Sequence, residues 1–271
     1  MNKNKTKPQI DEKKRLKTVI YDDKCPDTPY FDELVESLKS NGITVSREDI
    51  REAGKRRDDC LCICSSRESA EDAKKTDAAF VCFGVRDSKA QCEIEGFDEV
   101  DADFMIKMYQ RKHGIPWEIC RTERLLIREF ALSDDLVIFD EKKDEPDYNE
   151  LYINNIYGFF GYGIWALINL ETGKLIGKAG IMNSERLEGI ELGYEILEEY
   201  RNLGYATEAC RAIVNKAGGY YGIGRLYAFT MKDNEASKRV LHKLGFVSQG
   251  LYDENVEKYM ANIVDNGQSR V

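Results

Sequence analysis

The chain lacks the features by which membrane and exported proteins are recognised. No apolar run reaches the ~18 residues that a membrane span requires, and the lysine-rich start has no apolar segment like that of a secretory signal. We therefore expect a cytoplasmic protein with no membrane partner. With 42% hydrophobic and 33% charged residues the composition is that of a folded chain, and 271 residues suffice for two domains with cores of their own.

Patterns typical of metal sites and disulfide frameworks are also missing. Eight cysteines are present, but no two form a C-x-x-C pair, and His113 and His242 are the only histidines. Cys60, Cys62 and Cys64 alternate along DCLCICSS, which predicts one face of a strand, where cysteine packs as a small hydrophobe rather than as a metal or redox group. We expect reduced thiols and no bound metal.

The chain has no overall excess of positive charge. Its net charge of −9 argues against general nucleic-acid binding, which depends on basic patches. The lysine-rich residues 1–14 are the local exception. Such a tail fits either a contact with RNA or a solvated flexible terminus, and we favour the terminus.

Two common phosphate-binding signatures, GxxxxGK[ST] and GxGxxG, are absent. Residues 191–216, ELGYEILEEYRNLGYATEACRAIVNK, predict instead a strand, a glycine turn and an amphipathic helix. The first turn of a helix has backbone N–H groups without intrahelical partners and the positive end of the helix dipole, so it can hold a pyrophosphate. Gly204 relaxes the backbone of the turn, and the small Ala206 leaves room for a ligand.

The turn in this stretch reads Arg-x-x-Gly-x-Ala from Arg201 to Ala206, which resembles the acyl-coenzyme A signature [Q/R]-x-x-G-x-[G/A] of the GNAT acetyltransferase superfamily. Residues 234–246, NEASKRVLHKLGF, look like the N-x-x-S and L-G-F segment near the end of GNAT domains. Residues 122–128, TERLLIR, are similar to the T-x-R-L-x-L-R opening strand of the branch that includes the ribosomal-protein N-terminal acetyltransferases. The resemblance covers residues 119–262 and implies a mixed, mainly antiparallel sheet flanked by helices.

The same resemblance implies acetyl-coenzyme A as cosubstrate and an amine as acceptor. Strand amides between Glu195 and Leu197 would stabilise the oxyanion, amides between Leu203 and Thr207 would hold the pyrophosphate, and residues of the N-x-x-S segment would contact the coenzyme's arm. Arg201 would add charge at the phosphates, with a surface pair to Glu198 or Glu199 as the alternative. The implied coenzyme-binding residues are Glu195, Ile196, Leu197, Arg201, Leu203, Gly204, Tyr205, Ala206, Thr207, Asn234 and Ser237.

Direct acetyl transfer needs a neutral amine, because an ammonium has no lone pair, so the site needs a base. Glu191 resembles in position the strand glutamate that is the base in many GNAT enzymes, and a structural ion pair is the alternative. Many GNAT proteins carry a tyrosine acid before the L-G-F segment, where this chain has Leu241. His242 is the next residue, but neighbouring helix residues point about 100° apart, so we do not expect it to replace that acid.

Residues 15–115 predict a small parallel α/β domain, because strand-like and helix-like segments alternate. Residues 60–84 resemble the later half of a haloacid dehalogenase-like phosphatase core, but the D-x-D motif of that family is replaced by Asp22, Asp23 and Lys24. Ser65 and Ser69 stand where its magnesium-binding carboxylates belong. We interpret the domain as a noncatalytic relic, with a flavodoxin-like or receiver-like unit as the alternative.

The connector is predicted at residues 113–120, after a helix at 102–112, so that the second domain spans residues 116–271. Within that domain, residues 133–150 are strongly acidic, which favours either a rim that attracts a protonated amine or an ordinary solvated helix face. The aromatic residues 148–162 suit either a wall of the acceptor site or the core, and we favour the core.

The sequence therefore predicts an N-acetyltransferase that moves acetyl from acetyl-coenzyme A to a protein N-terminus or a small-molecule amine by direct attack. The main alternative is a noncatalytic acyl-coenzyme A sensor with an N-terminal interaction module. A third hypothesis retains phosphatase activity in the first domain.

Overall fold

The structure is a computed structural model that describes residues 15–54, 58–135 and 148–263. The chain forms two compact units, Met1–Trp117 and Glu118–Val271. The basic tail at 1–14 and most of the acidic stretch at 133–150 lie outside the described residues. Within the described ranges, none of the helices combines the length and apolar character that crossing a membrane requires.

The first unit contains a parallel sheet in which the strands follow the order β2-β1-β3-β4-β5. This result confirms the predicted parallel α/β fold class. The described elements, in chain order, are β1 (Thr18–Tyr21), α1 (Pro29–Ser40), β2 (Thr44–Arg47), α2 (Ile50–Gly54), β3 (Cys60–Cys64), α3 (Arg67–Lys75), β4 (Ala79–Phe83), β5 (Cys92–Ile94) and α4 (Ala102–Lys112).

Strand β3 lies at the centre of this sheet and is buried at every position. Its alternating side chains enter two different cores. Leu61 and Ile63 pack on the side of α1 and α4, whereas Cys60, Cys62 and Cys64 pack on the side of α2 and α3. The prediction that the three cysteines share one buried face is confirmed.

The second unit contains a mixed sheet with the strand order β12-β13-β11-β10-β9-β8-β7-β6, in which only the pair β10 and β11 is parallel among the described strands. This result confirms the predicted mainly antiparallel sheet. The described elements are β6 (Glu118–Arg121), β7 (Leu125–Arg128), α5 (Tyr148–Leu151), a π-helical turn (Tyr152–Ile156), α6 (Tyr157–Phe160), β8 (Ile164–Asn169), β9 (Leu175–Asn183), β10 (Ile190–Ile196), a 3-10 turn (Glu198–Tyr200), α7 (Tyr205–Gly219), β11 (Arg225–Met231), α8 (Glu235–Lys243), β12 (Val247–Leu251) and β13 (Val256–Asn262).

Several segments differ from the sequence prediction, and β6 and β12 are the two in the second unit's sheet. Glu118–Arg121 forms strand β6, although residues 113–120 were expected to be a connector. Strand β12 was not expected, because all five of its residues are exposed and Gly250 interrupts the run. An edge strand without a buried face has no apolar alternation in its sequence by which it could be recognised.

The centre of the second sheet is split. Strand β10 pairs with β9 along all of its length, but it pairs with β11 only at Ile190 and Glu191. Strand β11 continues to pair with β13 through Met231. Beyond Glu191, β10 and β11 therefore diverge, and the edge of β10 that faces β11 loses its strand partner.

Candidate active site

The start of α7 is open. Gly204 stands at the cap position with a φ of +87°, and no side chain accepts a hydrogen bond from the first turn. The helical ladder begins where the Glu208 amide donates to the Gly204 carbonyl (3.1 Å). The amides of Tyr205, Ala206 and Thr207 come before that bond, so they are free of intrahelical acceptors.

A cleft of about 520 Å³ joins this helix start to β10 and α8. It brings together most of the residues that the sequence predicted: Glu195, Ile196, Arg201, Gly204, Tyr205, Ala206, Thr207, Asn234 and Ser237. Glu191, Leu197 and Leu203 are not part of its lining.

Basic side chains from α8 and from the turn before α7 also line the cleft. Arg239 and Lys243 of α8 were not predicted, and they lie in the cleft with Arg201 of the turn. Cations beside an open helix start favour a ligand that carries several negative charges. The sequence signal for them was weak, because an exposed Arg and Lys on a helix usually form a solvated face.

The strand amides can be sorted by their direction. Leu197 N–H donates to the Ile176 carbonyl of β9 (3.0 Å), so this amide is already used and is removed from the candidate oxyanion donors. Because amides of an antiparallel strand alternate between its two edges, those of Tyr194 and Ile196 point towards β11. That edge has lost its pairing beyond Glu191, which makes the Ile196 amide the candidate donor.

Arg201 holds the turn against the strand. Its Nε donates to the Ile196 carbonyl (2.9 Å), whereas the sequence alternative was a surface pair with Glu198 or Glu199. The contact attaches the end of β10 to the turn that precedes α7. Arg201 therefore positions the backbone of the cleft as well as contributing a charge to it.

The side chains of the N-x-x-S segment are partly used within the protein. The Asn234 side chain accepts from Ser237 N–H (3.0 Å) and caps α8. The Ser237 hydroxyl is hydrogen-bonded to the Tyr194 hydroxyl (2.8 Å). Tyr194 was not among the residues predicted from the sequence, although its position between Glu191 and Glu195, on the other face of the strand, predicts contact with the helices.

Glu191 lies on the opposite face of β10 from Tyr194, next to the point where the strands diverge. Only 8% of the residue is exposed. Its carboxylate accepts from the Ser184 hydroxyl (2.9 Å) and pairs with Arg186 (3.3 Å). Burial raises the pKa of Glu191, while Ser184 and Arg186 oppose that rise. A glutamate with a raised pKa is a stronger base than an exposed one.

Glu195 shares the face of Glu191 but has a different environment. Its carboxylate pairs with Lys178 of β9 (2.9 Å), and the Lys178 side chain is 9% exposed. The shared face follows from their spacing, because residues four apart on a strand point to the same side, but the sequence contained no sign of the lysine partner across the strands. The pair leaves Glu191 as the candidate base and gives Glu195 a structural contact.

The residues near the expected acid do not supply one to the cleft. Leu241 is fully buried, and the His242 ring packs edge-on against Tyr259 with the ring centres 5.6 Å apart. His242 is absent from the lining of the cleft. Among the described residues, no group of three or more His, Cys, Asp or Glu side chains is arranged to hold a metal ion.

The aromatic segment before β8 belongs mainly to the core. Tyr152 and Tyr157 are buried, and their hydroxyls bond the backbone amide and carbonyl of Ile164, respectively. Phe160 and Tyr162 remain partly exposed. Of the two interpretations of residues 148–162, core packing therefore holds for Tyr152 and Tyr157.

The cleft fits an acyl-coenzyme A. The open amides and the three basic side chains suit its phosphates, and the unpaired edge of β10 can accept the amide groups of an extended arm. At Gly204 an added Cβ would meet only Arg124 Nη2, at 3.4 Å, so it is the positive φ rather than lack of space that calls for glycine.

Comparison with known proteins agrees with this geometry. A family model described as acetyltransferase (GNAT) domain matches residues 124–247. The uncharacterized N-acetyltransferase YoaA of Bacillus subtilis (strain 168) is 34% identical over 150 residues, which cover 49% of this chain and 85% of that protein. The uncharacterized N-acetyltransferase YjdG of the same organism is 28% identical, covering 38% of this chain and 61% of that protein.

Among solved structures, that of the acetyltransferase from Agrobacterium tumefaciens str. C58 is 24% identical and covers 53% of this chain and 93% of that chain, with a TM-score of 0.45. The family match and the relationship to YoaA carry the assignment. The chain belongs to the GNAT acetyltransferase family, and its second unit contains the acyltransferase domain.

Proposed function

We propose that the second unit transfers an acetyl group from acetyl-coenzyme A to a primary amine, carried by a protein N-terminus or a small molecule, and that it does so in the cytoplasm. The single observation that supports this most strongly is the open start of α7 beside the divergence of β10 and β11. The coenzyme supplies the acetyl group as a thioester.

Each wall of the cleft has a binding role in this proposal. The amides of Tyr205, Ala206 and Thr207 hold the pyrophosphate at the positive end of α7, with charge from Arg201. The carboxamide nitrogen of Asn234 and the hydroxyl of Ser237 face the arm of the coenzyme from α8. Arg239 and Lys243 add positive charge on the same side.

Glu191 takes the proton from the incoming ammonium, directly or through water, so that the neutral amine can attack the thioester carbon. Collapse of the tetrahedral intermediate breaks the C–S bond and releases the thiolate of coenzyme A, which takes a proton from water, while the new amide nitrogen loses its extra proton to water. The Ile196 amide donates to the oxygen that becomes negative in the tetrahedral intermediate. The protein thus separates the two tasks. A side chain on one face of β10 removes the proton, and a backbone group on its free edge stabilises the developing charge.

The acceptor is a primary amine for which a negative rim provides long-range attraction. Residues 136–147, which contain most of the predicted acidic rim, lie outside the described residues. Among described residues, Glu185 lies close enough to affect the pKa of Glu191 and adds negative charge near the candidate base. This charge favours acceptors that approach as cations.

The first unit is proposed to be a noncatalytic relic of a haloacid dehalogenase-like domain. Asp22 is 7% exposed, and its carboxylate already accepts hydrogen bonds from Ser65 N–H (2.7 Å) and the Ser69 hydroxyl (2.5 Å). A carboxylate held in this way is poorly placed to attack a phosphate. The strand order also suits a flavodoxin-like unit, which is the alternative origin of this domain. The noncatalytic role is tested separately: magnesium-dependent phosphate release that Asp22→Asn abolishes would contradict the proposal.

The proposal is tested by thiol release from acetyl-coenzyme A with a panel of amines, using the full chain. Glu191→Gln keeps the shape of the side chain and removes the base, so we expect kcat to fall by ~10²-fold or more while coenzyme binding is retained. Glu254→Gln is the matched control, because Glu254 is exposed in the turn between β12 and β13 and is not part of the cleft lining, and we expect its turnover to stay within ~3-fold of wild type. Coenzyme binding without turnover of any amine would contradict the enzyme proposal and favour a sensor.

A further inference from the structure

Thr122 and Arg124 of the T-x-R motif have no role in the reaction proposed above, although both contact α7 or the turn before it. Arg124 reaches from the start of β7 to the turn before α7. Its Nη1 donates to the Leu203 carbonyl (2.9 Å), and its guanidinium lies 4.3 Å from the centre of the Tyr205 ring. Its Nε donates to the Glu208 carboxylate (2.7 Å). One side chain therefore contacts both ends of the first turn.

Glu208 completes this arrangement from the helix side. One of its oxygens accepts from the Thr122 hydroxyl (2.6 Å) and from Arg124 N–H (2.9 Å). Partial burial acts to raise the pKa of Glu208, but these bonds and the Arg124 charge lower it. The carboxylate is thus kept ionised, and the second oxygen is available to hold the guanidinium.

The contact with Leu203 controls the backbone at the phosphate end of the cleft. The Leu203 carbonyl and the Gly204 N–H belong to one planar peptide group and point in opposite directions. When Arg124 holds the carbonyl, it also fixes the Gly204 amide to point away from Arg124. A carbonyl turned the other way would place a negative dipole where the helix start is positive.

The contact with Tyr205 fixes the next residue as well. The guanidinium packs on one part of the ring, and the Tyr205 hydroxyl accepts from the Asn169 side chain (2.9 Å). Tyr205 is the first residue of α7, so its backbone amide is among the open donors. Its side chain is anchored at both the ring and the hydroxyl.

We infer that Arg124 is a positioning residue that sets coenzyme affinity by holding the turn before α7 in its anion-binding shape. The inference rests on the proposed function, because it assumes that this turn binds the coenzyme. It also assigns a role to the T-x-R motif, with Thr122 orienting Glu208 and Glu208 orienting Arg124.

The test compares two charge-neutralising variants of the full chain. Arg124→Gln removes the contacts with Leu203 and Tyr205. Arg121→Gln is the matched control. Arg121 lies on the neighbouring strand β6, where its side chain makes two hydrogen bonds to Glu118 of the same strand (2.8 and 2.6 Å). We expect calorimetry with coenzyme A to show a Kd raised ~10-fold or more for Arg124→Gln and within ~2-fold of wild type for Arg121→Gln.

Kinetics separate positioning from a general loss of structure. For Arg124→Gln we expect KM for acetyl-coenzyme A to rise with the Kd, while kcat and KM for the amine stay within ~2-fold of wild type. A purely structural role would lower the melting temperature and leave Kd for the folded protein unchanged, which would overturn the inference.

Arg124→Lys keeps the charge and most of the stem but loses the planar fork that reaches Leu203 and Glu208 together. We expect its Kd for coenzyme A to lie between those of wild type and Arg124→Gln. Full recovery of wild-type affinity with lysine would show that charge alone matters and would overturn the positioning role. If wild type itself bound no coenzyme A, the proposed function would fail first, and the two failures are therefore distinguishable.

Discussion

The two units present a helix start in opposite ways. In the first unit, α3 follows the buried strand β3 and is closed by its own side chains: Ser66 accepts from Ser69 N–H (3.2 Å), and Ser69 accepts from Ser66 N–H (3.2 Å). In the second unit, α7 follows β10 and begins at Gly204, which has no side chain to close it. The same local order of strand, turn and helix is thus stabilised internally in one unit and left open for a ligand in the other.

The difference extends to the charges around each helix start. Near α3, the carboxylate of Asp22 accepts from the Ser65 amide and the Ser69 hydroxyl, so these two donors are used within the protein. Near α7, the anionic partner Glu208 sits behind the helix start with Arg124, and the cleft itself is lined by cations. The first amides of a helix can bind an anion when no acceptor of the protein itself is hydrogen-bonded to them.

The largest effect is expected from closing the open helix start. Gly204→Asp would place a carboxylate at the cap position, like Asp101 at the start of α4, and would add strain at a φ of +87°. We expect Kd for coenzyme A to rise ~100-fold or more, because the carboxylate competes for the amides and repels phosphate. Calorimetry measures this change.

The control is Gly173→Asp, at a φ of +70° in the turn between β8 and β9, where nothing lies within 4 Å of an added Cβ. It carries the same charge and a similar backbone strain away from the cleft. Comparable loss of affinity in both variants would show that strain or net charge, rather than closure of α7, is responsible.

A smaller effect is expected from removing the carboxylate of Asp22, which accepts hydrogen bonds beside the start of α3 in the first unit. Asp22→Ala leaves the Ser65 amide and the Ser69 hydroxyl without their shared acceptor, so we expect the first unit to lose ~2 kcal/mol of stability. Hydrogen exchange of the amides in β1 and β3 measures this loss. Acetyl transfer should not change, and a loss of turnover without unfolding would break the proposed division of roles.

Removing the cap of α3 should have a milder effect. Ser66→Ala deletes one half of the capping box, and we expect a loss of ~1 kcal/mol from the first unit in urea unfolding. The exposed amides should not create a coenzyme A site, because the cleft near Asp22, Asp23 and Glu68 is largely acidic. Binding of coenzyme A at this helix in Ser66→Ala would contradict the view that charge as well as closure distinguishes the two starts.

The smallest effect is expected in the stability of the second unit at acid pH. The folded-state pKa of Glu208 is lowered, so its contribution to stability is complete above its ordinary pKa of 4.5 and is lost as the pH falls through the folded value. Glu208→Gln should therefore flatten the decline of second-unit stability below pH 4.5, as measured by urea unfolding at a series of pH values. An unchanged decline would show that Thr122 and Arg124 do not depend on the charge of Glu208.

Local patterns predicted many elements because their physical causes are local. Helix α4 was predicted with its observed bounds, since Asp101 caps its start and the apolar residues follow the helical period. The Gly204 turn and the start of α7 were predictable for the same reason. Strands β2 and β12 were missed because their side chains are mostly exposed or half-exposed, so no buried face marks them.

The candidate site was predicted less completely than the fold. The direction of each strand amide depends on register, which is why Leu197 and Ile196 could not be told apart until β9 was in place. Lys178 opposite Glu195 and Arg124 behind Gly204 are likewise contacts between residues distant in the chain. No sequence period records such contacts.

The sequence by itself determined the elements around the cleft and the turn that leaves a helix start open, because backbone freedom and apolar spacing act over a few residues. Only the tertiary structure decided which donors stay open, because a hydrogen bond is satisfied by whichever acceptor the fold brings near. That is why the serines at α3 and the glycine at α7 lead to opposite outcomes. The separation of β10 from β11 after Glu191 was decided in the same way, by pairing across the sheet rather than by any residue in the strand alone.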